Sequence, residues 1–148
     1  MLLTKKERVV IVGCGRFGGR LAARLSDKGY QVVIIDNRQE AFGKLPDSFS
    51  GFPIQADGTN LETLEYAEIE DASVFVAATG NDNINNLCAQ IAARIYGVPH
   101  VYVRFDDITR EKLISGFNIQ GIYPFKLSLA EIEESLFGES TVEEDFEE

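Results

Sequence analysis

Cysteine and histidine are almost missing from this sequence. Cys14 and Cys88 are the only thiols, and His100 is the only imidazole. Two cysteines do not make a disulfide framework. No Cys/His group has the spacing of a zinc site, so no metal ligands are assigned. Long apolar runs are also lacking, and none nears the roughly 20 residues of a membrane span. The opening "MLLTKKERVV" lacks a signal peptide's order of basic end, apolar stretch and small-residue cleavage site. A cytoplasmic protein is the expectation. No G-x-x-x-x-G-K-[ST] occurs, which excludes a P-loop NTPase. An excess of basic charge is lacking too. The net charge is −10, and residues 131–148 carry nine acids with no base. The other 130 residues hold 15 acids against 14 bases. A nearly neutral body with an acidic end argues against nucleic-acid binding, which needs a basic surface.

What remains is ordinary for a globular chain. Residues are 45% hydrophobic, and 148 positions suit one domain with a sizeable core. Apolar runs of strand length alternate with stretches of helical period. The strands are Val9–Val12, "QVVIID", "GFPIQAD", "SVFVAAT", "HVYVRF" and "IQGIYP". Pro53 marks the third as an edge strand or a strand's first residue. The fourth reads as buried on both faces. Between them, Phe17, Leu21 and Leu25 form one helical stripe that Gly29 closes. "RQEAFGKL" is a short helix ended by Pro46, and Asn60 caps "NLETLEYAEIE". Ile84, Leu87, Cys88, Ile91 and Ile95 are the apolar positions of a long helix. "DITREKLISGF" is another helix. A last helix, about 127–137, carries Leu129, Ile132 and Leu136 on one side. The pattern predicts an α/β, Rossmann-type, doubly wound six-stranded parallel sheet with helices on both faces. The folded domain is expected over residues 1–138. Residues 139–148 read as an acidic, disordered tail or a docking tail for a basic partner.

The chemistry concentrates in "VVIVGCGRFGGRLAARL", residues 9–25. Here a G-x-G-x-x-G follows a strand and opens a helix, and Asp36 ends the next strand. That is the dinucleotide-binding fingerprint. Gly13 permits the tight turn, Gly15 clears space for phosphates, and Gly18 lets the helix pack close. The helix N-terminus offers N–H groups and partial positive charge. Asp36 suits ribose hydroxyls and disfavours a 2′-phosphate. Arg38 either offsets that or is a solvated arginine. Phe17 and Asn37 adjoin these positions and are counted with the site.

Loops at the carboxyl ends of other strands line the same crevice. Asp57, with Gly58, reaches the adenine or closes its own loop. Thr79, Gly80 and Asn81 face the phosphates or a second ribose, or form a turn and N-cap. Asn85 is a ligand contact or a tie to that loop. Arg104, a charge ending an apolar strand, meets a phosphate or a structural ion pair.

A hydride-transfer enzyme needs an acid or base beside the cofactor. His100 begins a strand, at the end away from the crevice. Cys14 fills a position that needs a small residue, and Cys88 lies on an apolar helix face. No substrate domain follows residue 138, which favours a sensor over an enzyme. The alternatives are a small NAD-dependent oxidoreductase, or the cofactor subunit of one, and a scaffold that has lost its ligand.

The strings "VVIVGCGRFGGRLAARL", "ADGTNLETLEYAEIEDASVFVAAT", "DNINNLCAQIAARIYG", "HVYVRF" and "GIYP" resemble, in order, the N-terminal domain of the Trk/Ktr potassium-uptake regulators, the RCK or KTN domain. The resemblance covers residues 8 to about 126. It implies a non-enzymatic cytosolic subunit that binds NAD(H), or ATP and ADP. It implies dimers or rings beneath a membrane potassium translocation subunit, whose transport the ligand gates. By the same resemblance Arg16 holds phosphates, in some members across a subunit contact. Asp36, Asp57, Thr79 and Asn85 match family site positions. Phe125 follows Pro124 where many ATP-binding members have an acid, which puts a nucleotide or cation contact there in doubt. Most members continue into a C-terminal ligand domain that this sequence does not include. Its signal is expected to be absent or carried by another polypeptide. The last helix, through Phe125, Leu129, Ile132 and Leu136, is expected either to form an assembly surface or to pack on its own sheet.

Overall fold

The β-branched run Arg8–Val12 forms the central strand, β1, of a six-stranded sheet. The other strands are β2 (Gln31–Asp36), β3 (Phe52–Gln55), β4 (Ala72–Ala77), β5 (His100–Arg104) and β6 (Ile119–Ile122). Their order is β3-β2-β1-β4-β5-β6, and every pairing is parallel. The computed structural model describes residues 7–138. The expectation about residues 139–148 lies outside them. The order confirms the doubly wound reading and places β3, with Pro53, at an edge.

Five α-helices accompany the sheet: α1 (Arg16–Asp27), α2 (Leu61–Tyr66), α3 (Asp82–Gln90), α4 (Glu111–Ile114) and α5 (Pro124–Phe137). Right-handed crossovers put α1 on one face. Beneath it lie Val9, Ile11, Val32, Ile34 and Val76. On the other face α2, α3 and α4 bury Leu64, Cys88, Ala89, Ala92 and Ile114 against Val10, Val33, Phe75 and Val103.

Several elements depart from the sequence expectation. "RQEAFGKL" forms a 3₁₀ segment, Gln39–Lys44. The helix expected in "DITREKLISGF" is a 3₁₀ turn, Ile108–Arg110, and the single α-turn of α4. Gly116, at φ +85°, closes that stretch early. The helix expected to continue through residue 95 loosens into a π-turn over Ile91–Ile95. The stripe Ile84, Leu87 and Ile95 is exposed, because the small residues Cys88, Ala89 and Ala92 take α3 closest to the sheet. Val74 in β4 is only half-buried, so that strand is not covered on both faces along its length.

That exposure has a cause. Among the described residues no helix covers β4–β6 on the α1 face. An apolar groove of about 410 Å³ is left between Phe17, Leu21 and Leu25 of α1 and Val74, Tyr102 and Ile122 of the strands. The last helix does not fill it. α5 begins at Pro124, a residue suited to a first helical position. Only Tyr123 separates it from β6, so there is no loop to turn it back over the sheet. It buries Lys126 and Ala130. Phe125, Leu129, Ile132 and Leu136 stay 48–70% exposed. Packing of that stripe on its own sheet is thereby overturned.

Close approach of α1 to the sheet rests on Gly18. A Cβ there would overlap the backbone carbonyl of Gly13. Gly43 has nothing within 4 Å of a built Cβ and no positive φ. Gly18→Ala is therefore expected to lower unfolding stability by about 3 kcal/mol, the upper range for overpacking a rigid neighbour. Gly43→Ala is expected to be neutral or stabilising by up to about 1 kcal/mol. Urea denaturation of both variants checks this, and equal effects would refute it.

Candidate functional site

Strand order reverses between β1 and β4, and the chain leaves these two strands toward opposite faces. A crevice must open there, at the carboxyl ends. It holds about 430 Å³. Its apolar walls are Val12, Ile35, Ala56, Ala78 and Ile84. Its polar lining comes from Gly13, Gly15, Asp36, Asn37, Arg38, Asp57, Gly58, Thr79, Gly80, Asn81 and Arg104.

On the β1 side, Gly13 takes φ +107°, and a Cβ there would strike the Ala78–Thr79 backbone. A Cβ at Gly15 or Gly80 would meet nothing within 4 Å, so both open the crevice rather than pack it. Gly15 caps α1 with no side-chain bond, and the first turn carries no acid. The uncapped N–H groups and the positive end of the helix dipole are left available to an anion.

Asp36 holds two backbone amides with its two carboxylate oxygens. One carboxylate oxygen accepts the Cys14 amide at 2.8 Å, and the other accepts the Arg38 amide at 2.9 Å. The side chain is 10% exposed, and the Arg38 guanidinium stands 3.8 Å from it. Arg38 itself is largely solvated. Asp57 closes its own loop, accepting both the amide and the hydroxyl of Thr59. Those two bonds hold its carboxyl below the usual value. Gly58 admits no side chain, because Val12 stands against it.

On the β4 side, Asn85 is fully buried and uses its whole hydrogen-bonding capacity. Its Oδ1 accepts the Thr79 amide and hydroxyl, at 2.9 and 2.6 Å. Its Nδ2 donates to the Thr79 and Arg104 carbonyls, each at 2.9 Å. Of the two roles expected for Asn85 the structure assigns the tie. Its amide has nothing left for a ligand. Asn81 caps α3 through the Ile84 amide.

Three other expected site residues also stand off the crevice wall. Phe17 turns to the α1 face and lines the apolar groove, because the α1 stripe points at the sheet. Gly18 is buried in packing. Arg16 is exposed as the first residue of α1, with no hydrogen bond or ion pair to its side chain among the described residues. The apolar wall was not read from the sequence. Ile84 was taken for core, and only the exposure of the first α3 turn reveals it. His100 lines a small cleft at the opposite end of β5. Burial pushes the Cys88 thiol up to about 12. It also raises Cys14, helped by Asp36. Neither is a poised nucleophile.

Removing the Asn85 amide would strand buried backbone groups at two strand ends. Asn85→Ala is expected to cost about 2–4 kcal/mol in urea unfolding. A loss under about 1 kcal/mol would contradict the tie.

A family model described as the TrkA-N domain matches residues 9–123. The Trk system potassium uptake protein TrkA of Streptomyces coelicolor is 36% identical over 111 residues. The alignment covers 75% of this chain and 50% of that protein, so the chain spans half of that relative's length. The TrkA-N domain of the inner membrane protein ybaL from Escherichia coli superposes with a TM-score of 0.75 at 17% identity, covering 91% of this chain and 99% of that one. The Kef C-terminal domain of Shewanella denitrificans, solved in an AMP-bound form, superposes at 0.65 with 22% identity, covering 94% and 87%. Among the described residues no helix is long and apolar enough to cross a membrane.

Proposed function

The chain belongs to the TrkA-N domain family, and on that premise we propose that it is a nucleotide-binding regulatory subunit that gates a membrane potassium-uptake system. Its ligand is an adenosine nucleotide, NAD(H) or ATP/ADP. The observation that carries this is the crevice at the β1/β4 reversal. It offers a carboxylate for ribose, an uncapped helix N-terminus for phosphates, and two glycines that keep the path clear. The AMP-bound state of the similarly folded Kef domain supports the same ligand class.

A non-catalytic role is favoured by how the wall spends its polar groups. Asp36 and Asp57 are both engaged in holding loops. Thr79 and Asn81 hold the next loop and helix. Groups locked in this way suit recognition better than proton transfer. Residues 1–138 act as the nucleotide-binding unit, at the cytoplasmic face of the membrane through the transporter partner. Arg16, exposed as the first residue of α1, adds a cation for phosphates bound there or presented across a subunit contact.

Self-association into a dimer or ring is the second part of the proposal. The chain exposes an apolar groove and, separately, an apolar helix stripe that its own sheet cannot reach. Both are apolar, one a groove and the other a helix face, so copies of the chain can bury one against the other. A ligand then gates by binding one arrangement of the assembled copies more tightly than another.

Calorimetric titration with NAD, NADH, ATP, ADP and AMP is expected to give micromolar binding of at least one of them. Asp36→Ala is expected to weaken it thirtyfold or more, about 2 kcal/mol, as for a lost charged hydrogen bond. A thermal melt separates this from unfolding, since Asp36 also holds the glycine turn. A folded variant with parental affinity would refute the site. Leu129→Glu with Ile132→Glu is expected to turn an assembled species into monomer in sedimentation. Assembly unchanged by both charges would refute the role of α5.

A further inference from the structure

Helix α1 carries a second pattern beside its apolar stripe. Arg16-Phe17, Arg20-Leu21 and Arg24-Leu25 repeat one pair, a base and then an apolar residue, every four positions. Residues four apart share a helix face. Phe17, Leu21 and Leu25 line the apolar groove, and the three arginines form a row along its rim. All three are exposed, and Lys28 extends the row at the helix C-cap. Asp27 is the only acid of this helix. Among the described residues, none of the four basic side chains makes an ion pair or hydrogen bond. No other described strand or helix holds more than one lysine or arginine. Like charges at that spacing repel one another, so the row is relieved by a counter-charge.

The sequence supplies one. Residues 139–148, "ESTVEEDFEE", contain six acids and no base. Their apolar residues are Val142 and Phe146, four apart. The segment thus joins acid for the rim to apolar side chains for the groove. It also lies within reach. Ile122, two residues before α5, lines the groove. α5 has 14 residues and is about 21 Å long. Ten extended residues cover up to about 33 Å. The segment can therefore return from the end of α5 to Ile122 whatever direction α5 takes, with about 10 Å to spare.

We propose that residues 139–148 seat on the α1 side of their own chain, with Val142 and Phe146 in the groove and the acids against Arg16, Arg20 and Arg24. The tether keeps the segment at high effective concentration beside this surface. A groove filled in this way is closed to a second copy, so the segment limits self-association. The contact is ionic at its rim, where water has access. Screening there shortens from about 10 Å at 0.1 M salt to about 3 Å at 1 M. Salt therefore loosens the segment and opens the groove. No nucleotide takes part, so the inference stands apart from the reading of the crevice.

The experiment uses the full chain. The sequence has no tryptophan, so Phe146→Trp installs a single reporter. At low salt its emission is expected to be blue-shifted, and its quenching by acrylamide several-fold weaker than in urea. Salt near about 1 M is expected to move the emission to the red. Arg20→Glu with Arg24→Glu is expected to abolish the blue shift. Adding Glu143→Lys and Glu144→Lys to that pair is expected to restore it. Thermal melts check that each variant is folded. In sedimentation, Phe146→Asp is expected to self-associate several-fold more tightly than the parent. A water-exposed reporter in the folded chain at low salt would overturn the proposal. A blue shift untouched by the two arginine reversals would overturn the role of the row. A blue shift that appears only as protein concentration rises would place the segment on a second copy and overturn the seat on its own chain. Self-association of Phe146→Asp equal to the parent's would overturn the limit on assembly.

Discussion

Everything around the crevice hangs on a buried amide. Asn85 stands where β4, α3 and β5 come together, and it ties the loop after β4 to the end of β5 with four hydrogen bonds. Parallel strands end in backbone groups with no partner of their own. Where strand order reverses, neighbouring loops diverge and cannot satisfy one another. Asn85 supplies the missing partners from the side. Asp36 does the same across the reversal, through the amides of Cys14 and Arg38. The opening stays fixed because one polar clasp stands on either side of it. Both clasps are made by the chain's own groups, which pre-organises the loops around the opening.

The architecture was legible because it rests on patterns of period and punctuation. Six apolar runs and glycine turns carry the strand count and the doubly wound arrangement, and Pro53 allowed the edge position that β3 takes. Asp36 and the glycine turn were legible because the fingerprint joins spacing to a mechanism. Other features depend on rotation about a helix axis, which sequence specifies poorly. Phe17 sits one residue from Arg16, yet it faces the sheet while Arg16 faces solvent. In α3 the largest apolar residues point outward, because the small ones decide how close the helix lies. The identity of Asn85 was visible. Its burial was not, since a tie and a ligand contact call for the same amide. The α5 stripe was visible as well, but whether it turns back depends on a connection of one residue, Tyr123.

Residues 9–123 match the family model, and the chain spans half the length of the Streptomyces coelicolor relative. The described fold shows what such a domain lacks by itself. One face of its sheet is packed by α2, α3 and α4. Among the described residues, α1 packs on the other face and leaves Val74, Tyr102 and Ile122 against the groove. Burying apolar area of that kind is worth about 25 cal/mol per Å². The chain thus carries a standing drive toward contact, located beside the helix stripe that it cannot use internally.

Such a surface could be hazardous, and the sheet's margins limit the hazard. Both outermost strands, β3 and β6, are only four residues long. Within β3, Pro53 has no N–H to offer an incoming strand. Short margins, one of them interrupted by proline, are poor templates for strand-by-strand growth into fibrils. Stickiness is thereby confined to the faces, where contact is selective for shape, and withheld from the edges, where it would be indiscriminate. A chain built in this way keeps its exposed apolar surface on the faces of the sheet and away from its margins.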